Sequence, residues 1–149
     1  MKNHFFENGS WLTISNSNIK DKTFHNFFGS NAEYKALVIN EDADLKYPIV
    51  LNLLKEVILE KASKRAIMDI ELSTEETLGI KNIFEREINH LLSIRKTAKT
   101  GYNIKVFGKE ILIDTRNEIH DMNLSTFNDI YLIAKECLDE NKPMYLSID

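Results

Sequence analysis

Hydrophobic residues recur along the chain in two patterns, short runs typical of strands and a spacing of three and four residues typical of helices. The first pattern predicts strands over residues 4–6, 11–14, 34–39, 65–72, 104–107, 110–113 and 144–148. The second pattern predicts helices that begin at Pro48, at Ser73 and at Ser125 or Thr126, and a short helix that ends at Gly29. Strand–helix–strand units alternate with two hairpins, so we expect an α/β domain (or α+β) with a mixed β-sheet and three main helices.

Each main helix has a different pattern. The helix from Pro48 is apolar around most of its circumference, which predicts a central, buried position. The next begins with Ser73-Thr74-Glu75-Glu76, a capping box. Its expected inner stripe is Leu78, Phe84, Ile88, Leu91 and Leu92. The last helix carries Cys137 on an apolar stripe, where a thiol behaves as a small hydrophobic group rather than as a nucleophile.

Composition narrows the class of protein. A length of 149 residues fits one globular domain over 1–149, and a single cysteine excludes an internal disulfide. The 19 basic and 23 acidic residues give a net charge of −4, which disfavours nucleic acid as a partner. No apolar run is long enough to span a membrane, so we expect a cytoplasmic protein. The abundance of isoleucine, asparagine and lysine indicates an AT-rich genome, and hence a bacterium or a phage.

Five carboxylates form the main candidate site. If the strands at 34–39 and 65–72 are parallel neighbours joined by the Pro48 helix, their carboxyl ends lie on one side of the sheet, where ligands bind in open α/β folds. The residues at these ends are Glu41, Asp42 and Asp44, and Asp69 and Glu71. Such a group is able to hold Mg²⁺, but no recognised metal loop or glycine-rich phosphate cradle accompanies it. We therefore expect a solvated acidic edge, with neither a metal nor a cofactor.

Two further groups offer alternatives. His120 beside Asp121, in a polar loop predicted over 114–123, is a candidate general base with an orienting carboxylate, although adjacent residues usually point apart. Six of the 14 aromatic residues fall within the first 28 positions, which indicates either one closed end of the core or an exposed docking patch.

The acidic edge favours a non-catalytic protein-binding module. Unpaired carboxylates attract a basic partner, so the expected function is an inhibitor that masks a basic protein surface, as bacterial toxin-immunity proteins and similar phage antagonists do. One alternative is a small hydrolase or transferase that uses Asp69, Glu71 or His120. Another is a homo-oligomeric structural or regulatory subunit, and a homodimer is compatible with each of these functions.

Overall fold

A computed structural model of the chain describes residues 11–16, 36–40, 46–62 and 68–148. The elements in chain order are β1 Trp11–Ser15, β2 Ala36–Asn40, α1 Lys46–Ala62, β3 Met68–Leu72, α2 Thr74–Ile94, β4 Tyr102–Val106, β5 Lys109–Ile113, α3 Ile119–Asp139 and β6 Met144–Ile148. This confirms a mixed α/β domain, with three helices in the described part. The predicted strand at 4–6, the short helix ending at Gly29 and most of the N-terminal aromatic group lie outside the described residues.

The strands form two sheets rather than one mixed sheet. One has the order β2-β1-β6-β3, and the other is the β4–β5 hairpin. Every pairing among the described strands is antiparallel. The expected parallel pairing of β2 with β3 is therefore wrong: they lie at opposite edges of the larger sheet and run in opposite directions. The closing strand β6 and the N-terminal strand β1 occupy the centre between them.

The core lies between the larger sheet and the helices. One face of that sheet contributes buried aliphatic side chains that join a single cluster with the helices: Leu12, Ile14, Ile39, Ile70, Leu72, Met144 and Leu146. The opposite face of β1 is also covered, because Thr13 and Ser15 are buried. Both faces of the central strand β1 are therefore packed. Strand β1 pairs with β6, and β6 in turn pairs with the edge strand β3, which fixes the register of β3.

Helix α1 is buried over a narrower face than its sequence predicts. Tyr47, Val50, Leu54 and Ile58 are buried, whereas Ile49 is exposed. The helix packs against α2 at a close approach: a Cβ added at Gly79 would lie 3.1 Å from Val57 Cγ1. The α1 stripe therefore faces the core, and Leu51, Leu53 and Val57 are half-buried at its margins.

Helix α2 begins as its sequence predicts. The Ser73 side chain accepts a hydrogen bond from the Glu76 N–H at 3.1 Å, and Glu76 Oε1 accepts one from the Ser73 N–H at 3.0 Å. Phe84, Ile88 and Leu91 are buried as predicted, but at the start of the helix Thr77 is buried and Leu78 is exposed. Burial of Thr77 is tolerated because its hydroxyl donates to the Ser73 carbonyl at 2.8 Å.

Replacing Ser73 with alanine should lower the free energy of unfolding by about 1 kcal/mol, because the Glu76 N–H loses its acceptor. The control is Ser93→Ala, since that exposed hydroxyl bonds only to the His90 carbonyl in the last turn of α2. Urea unfolding at constant slope measures both changes. Equal effects of the two substitutions would contradict a specific role for the cap.

The second half of the chain departs from its prediction at two boundaries. The hairpin turns at Phe107 and Gly108, one residue earlier than expected, because Val106 pairs with Lys109. Helix α3 begins at Ile119, and its N-cap is Glu118, seven residues before Ser125 and eight before Thr126, the two alternative caps that the sequence predicts. Cys137 is buried on the inner side of α3, as predicted.

Candidate functional site

The sheet topology separates the two predicted groups of carboxylates. Glu41, Asp42 and Asp44 follow β2 in the chain and lie outside the described residues. Asp69 and Glu71 belong to β3, at the other edge of the sheet and on a strand of opposite direction. The carboxyl ends of β2 and β3 thus point to opposite ends of the sheet, so the premise that gathered all five residues at one edge is wrong. Their individual roles in partner binding remain predictions.

A smaller acidic surface forms where β3 leads into α2. We call Glu71, Glu75 and Glu76 the acidic corner; Asp69 precedes them in β3, and residues 68–80 contain no lysine, arginine or histidine. Glu71 lies between the buried Ile70 and Leu72, which places it on the sheet face that points away from the core.

The carboxylates of the acidic corner differ in their partners. Glu71 is exposed and accepts a hydrogen bond from Tyr145 Oη at 3.2 Å. Glu75 is exposed in the first turn of α2, where a negative charge complements the helix dipole. No ion pair among the described residues includes Glu71 or Glu75. Two carboxylates that face water without a cation are therefore available to an external positive charge.

A second charged group, Arg95 with Asp121, is buried. Arg95 follows α2 and Asp121 lies in the first turn of α3; their side chains are 11% and 0% exposed. Arg95 Nε donates to Asp121 Oδ1 at 2.6 Å, and its Nη2 donates to Oδ2 at 3.0 Å and to the Leu112 carbonyl at 2.7 Å. The Asp114 N–H donates to Asp121 Oδ2 at 2.9 Å. This group joins the end of α2, the hairpin and the start of α3.

These contacts assign Asp121 a structural role. Both carboxylate oxygens accept hydrogen bonds, so Asp121 is not free to orient His120 as the sequence suggested. Burial raises the pKa of Asp121, but the hydrogen bonds from Arg95 and from the Asp114 N–H, with the charge of Arg95, outweigh burial and hold that pKa below its usual value. The carboxylate thus stays ionised beside its guanidinium partner.

Stability should fall in acid because of this lowered pKa. The group contributes fully above the unfolded pKa of about 3.9, and its contribution is lost as the pH falls through the lower folded pKa. Each unit between the two values is worth about 1.4 kcal/mol. Urea unfolding at pH 6, 4 and 3 should show a steeper loss for the wild type than for Asp121→Asn. Asp139→Asn, at the exposed pair with Lys135, should keep the wild-type slope; a shared slope for all three proteins would contradict this role.

Further hydrogen bonds attach the hairpin to α3. Asp114 Oδ1 accepts from the Arg116 and Asn117 N–H groups at 3.1 and 3.2 Å, which closes the turn before α3. The hydrogen bond from the Asn117 side chain is the largest cause that lowers the pKa of Asp114. Near the tip, buried Asn128 donates through Nδ2 to the Lys105 carbonyl at 3.0 Å. The hairpin is therefore held at its base and near its tip.

Sequence reasoning missed the Arg95–Asp121 pair. Asp121 falls in the predicted polar loop, and 26 residues separate it from Arg95 in the chain. No short-range spacing identifies such a pair. The sequence offers one signal, since an aspartate is favoured in the first turn of a helix. That signal does not identify Asp121, because the sequence predicts a helix start only at Ser125 or Thr126.

The chain was compared with protein-family models, with curated proteins and with solved structures, and nothing matches it. Among the described residues, no group of three or more histidine, cysteine, aspartate or glutamate side chains is arranged to hold a metal ion. In the same part of the chain, no helix has the length and apolar character needed to cross a membrane.

Proposed function

We propose that this chain is a non-catalytic protein-binding domain that engages a basic partner through the acidic corner. The observation that carries the proposal is the pair of exposed carboxylates Glu71 and Glu75, which have no ion pair among the described residues. Glu71 lies on an edge strand and Glu75 four residues later on a helix. Both elements are regular and packed on the core, so the two charges are presented on a fixed scaffold.

Electrostatics supports a basic partner. Like charges that face water repel one another, and a partner's lysine or arginine side chains would relieve the repulsion between Glu71 and Glu75. A surface of one sign also speeds the encounter with a partner of the opposite sign. More specifically, we propose that the chain acts as an inhibitor that masks a basic protein surface, in the manner of a bacterial toxin-immunity protein or a phage antagonist. Glu41, Asp42 and Asp44, which follow β2 in the chain, stay candidate partner-binding residues.

The test compares matched baits. Full-length wild type, Glu71→Gln/Glu75→Gln and the control Glu56→Gln/Glu110→Gln are immobilised, and the proteins that each retains from a cell extract are identified by mass spectrometry. The two variants lose the same charge, but the control positions are exposed residues outside the acidic corner. A partner should be retained by the wild type and the control and be depleted on the corner variant.

The partner so found is then purified and its association is measured directly. Its association rate should fall about tenfold or more for the corner variant, and it should also fall as salt is raised from 0.05 to 0.5 M. The proposal would be contradicted by a partner whose association rate changes neither with the corner substitutions nor with salt.

A further inference from the structure

The tip of the hairpin holds an exposed aromatic side chain in an unusual backbone conformation. Phe107 and Gly108 form the two-residue turn with φ of 51° and 81°, a geometry in which asparagine followed by glycine is preferred. A bulky residue at positive φ is uncommon and strained, and such strain concentrates at functional positions. The Phe107 ring is 38% exposed and packs edge-on against Tyr131, with the ring centroids 5.2 Å apart.

Phe107 belongs to a continuous surface across α2 and α3. Lys81 Nζ lies 5.6 Å from the centre of the Tyr131 ring, and Leu78 is three residues before Lys81 on the same side of α2. Leu78 is 45% exposed. We call Leu78, Lys81, Phe107 and Tyr131 the hairpin face.

Opposite charges border the two ends of the hairpin face. Contacts of Lys81 with Tyr131 and of Arg95 with Asp121 show that α2 and α3 run antiparallel, with the hairpin base at the Arg95 end. Lys109 is exposed beside the Phe107 tip and has no ion pair among the described residues. Glu75 lies six residues before Lys81, about 9 Å along the helix at a rise of 1.5 Å per residue. The apolar centre thus lies between a basic tip and the acidic corner.

We propose that two copies of this chain associate through the hairpin face about a two-fold axis. A two-fold interface is self-complementary, so an axis through the apolar centre sets each copy's Lys109 against the acidic corner of the other. Phe107 and Leu78 would form the desolvated centre of the interface, and the charges would form its rim. A second copy fits better than an unrelated partner because one chain carries both complementary charges on either side of the same apolar centre.

The proposal does not rest on the proposed function, because here the positive charge is the chain's own hairpin. If both hold, a basic partner competes with the second copy for the acidic corner. The two tests are separate: Phe107→Asn leaves the corner intact, whereas Glu71→Gln/Glu75→Gln leaves the aromatic tip intact.

Sedimentation equilibrium of the full chain over a range of concentrations tests the apolar centre. The wild type should show a monomer–dimer equilibrium, and Phe107→Asn should raise the dimer dissociation constant at least tenfold. Asparagine suits the positive φ of the turn, which offsets part of the lost contact between Phe107 and Tyr131. At concentrations where both proteins are monomeric, the thermal midpoint of the variant should therefore stay close to that of the wild type, which separates a lost interface from a lost fold. The control, Ile49→Ala, removes exposed apolar surface on α1 and should leave the equilibrium unchanged.

A charge exchange tests the orientation of the two copies. Lys109→Glu and Glu75→Lys should each weaken the dimer, and the double variant should restore it, because the opposed charges are exchanged on both sides. A wild type that stays monomeric at all concentrations overturns the proposal. A dimer that is insensitive to Phe107→Asn, or whose single charge variants are not rescued by the double variant, overturns it equally.

Discussion

Replacing Arg95 with alanine is expected to lower the free energy of unfolding by about 3–5 kcal/mol, the range observed when one member of a buried ion pair is removed. Asp121 would remain fully buried, with its charge unpaired and only the Asp114 N–H as donor. The Leu112 carbonyl would also lose its donor at the base of the hairpin. Urea unfolding followed by circular dichroism measures the loss.

Arg86→Ala is the matched control for this experiment. Arg86 also pairs with a carboxylate from another helix, Glu56 at 3.5 Å, but the two side chains are 60% and 53% exposed. Exposed ion pairs contribute about 0–1 kcal/mol, so the control should change stability little. If Arg86→Ala and Arg95→Ala proved equally costly, burial would not be what makes the Arg95–Asp121 pair important.

Replacing Gly101 with alanine should cost about 3 kcal/mol, the upper end of the range for local backbone strain. Gly101 has φ of 127°, which residues with a side chain rarely adopt, and an added Cβ would lie 1.9 Å from the Ile113 carbonyl oxygen. The obstacle is backbone rather than a flexible side chain. The first hairpin pair, Tyr102 with Ile113, must therefore separate.

Gly108→Ala at the hairpin tip is the control for Gly101→Ala. Gly108 also has a positive φ, 81°, but an added Cβ would meet no atom within 4 Å. Only the conformational cost of about 1–2 kcal/mol remains. Thermal unfolding of both variants, with amide exchange of residues 102–113, should show that only Gly101→Ala opens the base of the hairpin. Similar exchange in the two variants would contradict the steric argument.

Local patterns predicted the elements whose cause is local. The capping box of α2 depends on four consecutive residues, Ser73 to Glu76, and it is present with both of its hydrogen bonds. The alternation in β3 depends on the two-residue period of a strand, and Ile70 and Leu72 face the core as expected. In each case the free energy that selects the structure comes from neighbours a few residues apart.

The predictions that were wrong concern positions whose state depends on distant groups. The start of α3 reads as a polar loop because His120, Asp121 and Asn123 interrupt the apolar pattern. Asp121 is buried there only because Arg95, 26 residues away, supplies the opposite charge. Thr77 is buried in place of Leu78, because packing against α1 and α3 sets which side of α2 faces the core. Its hydroxyl can be buried there because it donates a hydrogen bond to the Ser73 carbonyl.

The sequence by itself determined the class of fold, the order of the described elements, the helix cap at Ser73 and the burial of Cys137, because spacing and capping act over a few residues. Only the tertiary structure decided the all-antiparallel pairing of the described strands, which places β2 and β3 at opposite edges and divides the predicted acidic edge. Strand order depends on which apolar faces meet across the whole chain. Because hydrophobic burial is non-directional, the apolar pattern of a strand does not specify which other strand it pairs with. The same holds for the Arg95–Asp121 pair and the hairpin face, which exist only once α2, α3 and the hairpin have packed together.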